Sequence, residues 1–102
     1  MKEEPFGPLV PILTFKNFDE VIERANDNDL GLCSYLYTNS MDKAHIGSEK
    51  LETGCVAVNT GVVALAEAPF GGIKQPGSGR EGGSGAIKDY LNVKYTHMGL
   101  KI

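Results

Sequence analysis

The residues whose chemistry would matter most in a catalytic site are the two cysteines, Cys33 and Cys55. A thiol acts as a nucleophile when a nearby cation or base lowers its pKa and so supplies thiolate. Each cysteine instead lies within an apolar run of strand length, where a free cysteine is usually a small buried hydrophobic residue. The sequence therefore predicts two structural cysteines and a reducing compartment rather than a disulfide framework.

The other candidate ligands and acids are dispersed along the chain. His45 and His97 are far apart and lack the close partner spacing that metal sites use. Glu3 and Glu4 form an acidic pair beside a proline, a pattern that is typical of a solvated surface. From the residues alone we expect no metal site and no complete catalytic constellation.

A glycine-rich stretch, Ala68–Gly85 (hereafter the glycine loop), holds more than half of the glycines and two of the prolines. That composition excludes a regular helix or a central strand, and the apolar Phe70 and Ile73 favour an ordered, packed loop over a linker. Gly77–Gly82 matches the dinucleotide fingerprint G-x-G-x-x-G. The fingerprint needs a strand before it, a helix opening on it and an acidic residue about 20 positions later. None of these is indicated, so we interpret the match as a coincidence.

Length and composition predict one small globular unit: 102 residues, 41% hydrophobic and 23% charged. The net charge of −3 and the absence of basic clusters argue against nucleic acid or an anionic membrane as partner. No apolar run has the length of a membrane span, and the N-terminal residues do not resemble a signal peptide. We therefore expect a cytoplasmic protein.

Strand and helix signals alternate before the glycine loop. Asn17 can cap a first helix with Glu20 as its capping-box partner, and Ser40 can cap a second helix that ends near Glu52. The second helix is expected to turn one face inward, carrying Met41, Ala44, Ser48 and Leu51. Three apolar runs predict strands, at Leu9–Phe15, Leu32–Tyr37 and Cys55–Asn59. The order strand–helix–strand–helix–strand predicts an α/β fold with a βαβαβ parallel sheet.

After the glycine loop, Ser84 or Gly85 is expected to open a short helix that ends at Leu91. Lys94–Ile102 alternates weakly and is expected to form a last strand with no partner inside the βαβαβ sheet. An unpaired strand leaves N–H and C=O groups that another chain can satisfy. The sequence therefore predicts a pairing surface at this end of the chain.

Several ordered motifs then give a family resemblance. Glu3-Glu-Pro-Phe-Gly-Pro8, Val58-Asn-Thr60, Pro69-Phe-Gly-Gly-Ile-Lys74 and Gly77-Ser-Gly-Arg-Glu-Gly82 occur in this order. Together they resemble the C-terminal end of the aldehyde dehydrogenase superfamily, over nearly the whole chain. The ending Asp89-Tyr-Leu-Asn-Val-Lys-Tyr95 is most similar to succinate-semialdehyde dehydrogenases and related NAD(P)-dependent enzymes.

The resemblance implies roles for particular residues. Glu4 would hold the hydroxyls of the nicotinamide-side ribose of NAD or NADP, and Phe6 would pack beside the nicotinamide. Phe70 would lie beside the reacting carbon of the aldehyde substrate, in a segment that lines the substrate entrance. Ala64 and Leu65 would also line it, where succinate-semialdehyde enzymes tend to carry a serine that binds the substrate carboxylate.

The resemblance also implies what the chain lacks. The family's nucleophilic cysteine, general-base glutamate and cofactor domain match no segment here, so no catalytic residue is assigned. Residues 1–83 would be the C-terminal part of the catalytic domain, and residues 84–102 a short helix with the oligomerisation strand of a homo-oligomer. The chain is then part of an oxidoreductase that acts on succinate semialdehyde or a related semialdehyde, and is inactive alone. The alternative is a stand-alone, non-catalytic assembly or binding module with this fold.

Overall fold

Helices and strands alternate between residues 18 and 58 of the computed structural model, which describes residues 3–101. The elements, in chain order, are helix α1 (Phe18–Asn26), strand β1 (Cys33–Leu36), helix α2 (Met41–Lys50), strand β2 (Cys55–Val58) and a 3-10 helix (Ala86–Tyr90). Met1, Lys2 and Ile102 lie outside the described residues, and with them one end of the predicted last strand.

Helix α1 begins where the sequence predicted. The Asn17 side chain accepts a hydrogen bond from the backbone N–H of Glu20 at 2.9 Å, which satisfies one of the free donors of the first turn. The Glu20 carboxylate in turn accepts from the backbone N–H of Lys16, at 2.9 Å, one residue before the cap. The helix buries Ile22, which is 8% exposed.

Helix α2 is capped as predicted, by the Ser40 hydroxyl, which accepts from the backbone N–H of Lys43 at 3.3 Å. Its inner face differs from the prediction. Gly47 is the buried residue of the helix, and a Cβ there would lie 2.6 Å from a methyl group of Leu36. Met41 is 82% exposed, so its expected place on the inner face is wrong. Because Gly47 has no side chain, α2 lies close to β1 at this residue. The face of α2 that carries Gly47 is therefore the face that β1 covers.

The two strands form a parallel sheet in which Cys33 lies opposite Cys55 and Leu36 lies opposite Val58. Ala57, in the centre of β2, is 4% exposed. The α/β fold class and its parallel sheet are therefore confirmed, and two of the four predicted strands, those at Leu32–Tyr37 and Cys55–Asn59, are present.

Two predicted strands, Leu9–Phe15 and Lys94–Ile102, do not form among the described residues. A strand needs a neighbour for its backbone N–H and C=O groups, and the described part of the chain places none beside either segment. Pro11 further removes one donor from the first segment. The large apolar side chains of the first segment are exposed, with values between 56% for Phe15 and 84% for Ile12. The two strand predictions are therefore wrong for the described residues.

The chain is elongated. Its principal extents are 75 × 33 × 24 Å and its radius of gyration is 19.2 Å, against about 13 Å for a compact domain of similar length. Ile22 and Ala57 are the buried apolar side chains of the described residues. Large apolar side chains near both ends, such as Phe6, Val93 and Leu100, are consequently open to solvent.

Candidate functional site

The glycine loop is closed by a short antiparallel bridge between Phe70 and Glu81. The backbone N–H of each residue donates to the carbonyl oxygen of the other, both at 2.7 Å. Such a reciprocal pair fixes the backbone on both sides of the loop. Phe70 is half-buried in this position and is held by its own main chain.

Glycines allow the loop to lie directly against the sheet. The Gly31 carbonyl oxygen accepts two hydrogen bonds, from the N–H groups of Gly54 and Ile73, each at 2.9 Å. A Cβ added to Gly54 would lie 1.9 Å from the Gly71 carbonyl oxygen, so no side chain fits there. The start of β2 and the loop are therefore in backbone-to-backbone contact.

Arg80 holds the far side of the loop. Its Nη1 reaches the carbonyl oxygens of Gly72 at 2.7 Å, Gly79 at 2.9 Å and Ser78 at 3.1 Å. The backbone N–H of Arg80 also donates to the Asp89 carboxylate at 2.9 Å, which ties the 3-10 helix to the loop. Arg80 thus holds the backbone of the glycine loop and joins it to the 3-10 helix.

The fingerprint-like Gly77–Gly82 segment lies inside this loop. Gly77 and Gly82 adopt positive φ angles of 100° and 67°, as tight turns require. A turn precedes the segment, and the helical element that follows is a five-residue 3-10 helix beginning at Ala86. The strand and the α-helix that the dinucleotide fingerprint requires therefore do not flank this segment among the described residues.

The two residues expected to hold a cofactor line one cleft. Glu4 and Phe6 lie at its edge, together with Leu32 and Pro76, and its volume is about 730 Å³. Phe6 is 95% exposed, so its ring is available for contact with a planar group.

The three residues expected to contact the substrate also come together. Phe70, Ala64 and Leu65 line a second cleft of about 260 Å³, with Glu81 and Gly82 on its other side. Leu65 is 56% exposed and gives this cleft an apolar wall. The bridge at Phe70 and Glu81 therefore also fixes part of the cleft.

A third cleft, of about 340 Å³, shares wall residues with each of the other two. It shares Leu32 and Pro76 with the cleft at Glu4, and Phe70 and Glu81 with the cleft at Leu65. The cleft at Glu4 and the cleft at Leu65 thus each share wall residues with this third cleft, and none with each other.

The side chains at the Glu4 cleft suit one end of a nicotinamide nucleotide. A carboxylate can accept hydrogen bonds from both hydroxyls of a ribose, and an aromatic ring offers apolar area to a nicotinamide. Among the described residues that line this cleft there is no lysine or arginine to meet phosphates. The residues present fit the ribose and nicotinamide end and do not supply a phosphate site.

Cys33 and Cys55 are half-buried and directly opposite each other on the two strands. Burial raises the pKa of the Cys33 thiol most, and the neighbouring Cys55 side chain raises it further by charge repulsion and by accepting from the Cys33 thiol. A raised pKa means less thiolate, so Cys33 is not an activated nucleophile. From the sequence, each cysteine was predicted within its own apolar run, without a partner. Their pairing depends on the register of the two strands, which the predicted runs Leu32–Tyr37 and Cys55–Asn59 do not fix.

Two further searches of residues 3–101 gave negative results. No group of three or more histidine, cysteine, aspartate or glutamate side chains is arranged to hold a metal ion. No helix in this part of the chain is long and apolar enough to cross a membrane.

Comparison with known proteins places the chain in a family. Residues 1–96 match the model of the aldehyde dehydrogenase family. The succinate-semialdehyde dehydrogenase [NADP(+)] of Escherichia coli (strain K12) is 48% identical over 99 residues, which are 97% of this chain and 20% of that protein. The 3-sulfolactaldehyde dehydrogenase of Pseudomonas putida is 50% identical over 97 residues, 95% of this chain and 20% of that one.

The fold agrees with these matches. An aldehyde dehydrogenase from Bacillus cereus, solved as an NAD⁺ complex, superposes with a TM-score of 0.86 at 46% identity. The superposition covers 91% of this chain and 19% of that structure. The chain spans about a fifth of the length of the relatives that it matches. On this evidence the chain belongs to the aldehyde dehydrogenase family.

Proposed function

We propose that this chain is the C-terminal portion of an NAD(P)⁺-dependent aldehyde dehydrogenase that oxidises succinate semialdehyde or a related semialdehyde to the carboxylate. The observation that carries the proposal is the grouping of Phe70, Ala64 and Leu65 in one cleft, and of Glu4 and Phe6 in another, with a third cleft that shares wall residues with both. Substrate and cofactor must meet for hydride transfer, and clefts that share walls in this way support such a meeting.

In this proposal Glu4 and Phe6 orient the cofactor. The Glu4 carboxylate accepts hydrogen bonds from the ribose hydroxyls, and the Phe6 ring covers one face of the nicotinamide. The bound cofactor accepts the hydride. Phe70 limits the space beside the reacting carbon, and Ala64 and Leu65 form the wall along which the rest of the aldehyde lies.

The chain alone is proposed to be inactive. Aldehyde oxidation in this family's manner needs a thiolate nucleophile, and the raised pKa of Cys33 disfavours that role. The Cys55 thiol donates to the Gly71 carbonyl oxygen at 3.6 Å, in the sheet rather than in the cleft at Phe70. Neither cysteine is therefore placed to attack an aldehyde beside Phe70.

The last residues are proposed to join subunits. Residues 84–102 would form a unit distinct from the catalytic part at residues 1–83, with Lys94–Ile102 as its strand. Val93, Tyr95, Met98 and Leu100 are 80–101% exposed, and this apolar surface favours a homo-oligomer in which a second copy covers it. The same surface is the observation that favours the alternative, a non-catalytic assembly module. We place the protein in the cytoplasm because both cysteines are unpaired thiols.

A chimeric enzyme tests the proposal. The chain replaces the matching fifth of the Escherichia coli succinate-semialdehyde dehydrogenase, with which it is 48% identical. We expect NADPH formation from succinate semialdehyde in the chimera and none from the 102-residue chain alone. A folded chimera that binds the cofactor but oxidises neither this aldehyde nor 3-sulfolactaldehyde contradicts the proposal. Sedimentation of the chimera with and without residues 94–102 tests the assembly role separately.

A further inference from the structure

The two cysteines of the chain form a neighbouring pair across the sheet. Cys33 begins β1, Cys55 begins β2, and the two are direct partners in the parallel register. Because side chains alternate between the faces of a strand, partners in register project from the same face. Neighbouring strands lie about 4.8 Å apart, within the Cα separation of about 4.4–6.8 Å that a disulfide requires.

A second observation agrees with this placement. Burial, and after it the neighbouring Cys55 side chain, raises the pKa of the Cys33 thiol, as a thiol on the same face of the next strand would do. Both side chains are half-buried, and Cys33 lines the cleft of about 730 Å³. A small oxidant can therefore reach Cys33 from this cleft, and Cys55 lies beside Cys33 on the neighbouring strand.

We propose that Cys33 and Cys55 are a redox modification site, at which a peroxide converts the two thiols into an intramolecular, reversible disulfide. In the small fraction of chains in which Cys33 is a thiolate, its sulfur attacks one peroxide oxygen, the O–O bond breaks, and a sulfenic acid and one water form. The Cys55 sulfur then attacks the Cys33 sulfur, the S–O bond breaks and a second water leaves. The two thiols lose two electrons and two protons, and the peroxide gains them. Thiol–disulfide exchange with a small thiol reverses the modification.

Oxidation would also alter the contact between β2 and the glycine loop. The Cys55 thiol donates to the Gly71 carbonyl oxygen at 3.6 Å, and a disulfide has no S–H group with which to do so. Gly71 is buried and lies next to Phe70, so the modification acts one residue from the candidate substrate cleft.

The test uses the 102-residue chain, hydrogen peroxide and non-reducing mass spectrometry. We expect the monomer to lose two hydrogen atoms, with a single cross-link between the peptides that contain Cys33 and Cys55. The control chain carries Cys33→Ser together with Ser34→Cys, which keeps two thiols and nearly the same loop length but moves one thiol to the opposite face of β1. Because only the native register raises the effective thiol concentration, the control should form the disulfide at least about tenfold more slowly.

The same two chains are also oxidised in concentrated urea. There both should form the disulfide at the same rate, because the sheet that aligns the native pair is lost. A second control, Cys55→Ser with Val56→Cys, moves the other thiol and covers the case in which the first control does not fold by circular dichroism. Equal rates for the native and shifted chains without urea would overturn the proposal. A native rate that urea leaves unchanged, or a product that is only an intermolecular dimer, would do so as well.

Discussion

Asn59 and Thr38 join the ends of β1 and β2 through a reciprocal pair of hydrogen bonds. The Thr38 N–H donates to Asn59 Oδ1 at 2.9 Å, and Asn59 Nδ2 donates to the Thr38 carbonyl oxygen at 3.0 Å. Asn59 adopts a positive φ of 56°, a conformation that asparagine tolerates better than most residues. Its side-chain amide thus continues the parallel ladder for one more step while its main chain turns away.

Asn59→Asp should weaken this junction. The carboxylate still accepts from Thr38, but the donor to the Thr38 carbonyl oxygen is lost and two oxygens face each other. We expect the free energy of unfolding to fall by about 1–2 kcal/mol, measured by urea denaturation. Asn39→Asp, at a nearby exposed position, is the matched control. An equal loss in both variants would show that the amide pair contributes nothing specific.

Gly54→Ala should be more damaging, for a steric reason. The added Cβ would lie 1.9 Å from the Gly71 carbonyl oxygen, so β2 and the glycine loop would have to separate. Overpacking of this kind costs about 1–3 kcal/mol. The control is Gly61→Ala, because a Cβ at Gly61 meets nothing within 4 Å. Unfolding curves that coincide for the two variants would contradict the close contact.

Glu4→Gln should impair use of the cofactor in the chimeric enzyme. A hydrogen bond to a charged group contributes about 1.5–3 kcal/mol, so the KM for the cofactor or the rate of hydride transfer should change about tenfold or more. Glu3→Gln, the neighbouring exposed carboxylate, serves as control. Stopped-flow measurement of the first turnover separates hydride transfer from later steps. Unchanged kinetics in the Glu4 variant would remove the cofactor role from this residue.

Ala64→Ser should favour a substrate that carries a carboxylate. A hydroxyl at this exposed position in the cleft can donate to a carboxylate oxygen, which the native methyl group cannot. In the chimera we expect the KM for succinate semialdehyde to fall about tenfold, while that for an uncharged aldehyde stays the same. Ala66→Ser, which lines the same cleft, is the control. A similar effect on both aldehydes would show a general change of the cleft instead.

The raised pKa of Cys33 predicts how stability depends on pH. The folded chain holds this proton more tightly than the unfolded chain does, because burial and the Cys55 thiol disfavour the thiolate. The resulting stability is fully present below the ordinary thiol pKa of about 8.5, and is lost as pH rises from there through the raised folded-state pKa. The free energy of unfolding should therefore fall more steeply with alkaline pH in the native chain than in Cys33→Ser. Parallel curves would contradict this.

Local signals in the sequence were sufficient for the elements that are stabilised within the chain. Asn17 and Ser40 cap the helices as expected, and the predicted runs Leu32–Tyr37 and Cys55–Asn59 contain the two parallel strands. The short helix expected from Ser84 or Gly85 is present as the 3-10 helix Ala86–Tyr90. These features depend on neighbouring residues and on hydrophobic periodicity, which a sequence displays directly.

Features that depend on distant contacts were harder to predict. The strand expected at Leu9–Phe15 needs a hydrogen-bonding neighbour that the described residues do not supply. Gly47 decides the inner face of α2, because the absence of a side chain there leaves room for Leu36. A pattern of apolar residues does not mark a glycine as an inner-face position. The site residues at positions 4, 6, 64, 65 and 70 came from family motifs. Their grouping in two clefts became visible only in the structure, and their roles stay predictions.

The two hydrogen bonds on the Gly31 carbonyl oxygen have a mechanical consequence. One oxygen atom receives the N–H of Gly54 from the start of β2 and the N–H of Ile73 from the glycine loop. Displacing the loop would break one of these bonds and pull the Gly71 carbonyl away from its contact with Gly54. The loop is therefore a fixed wall of the cleft at Phe70 and not a hinged lid. Any motion that admits or releases a ligand there must come from whatever faces this wall, and that opposite side would set the rate of exchange.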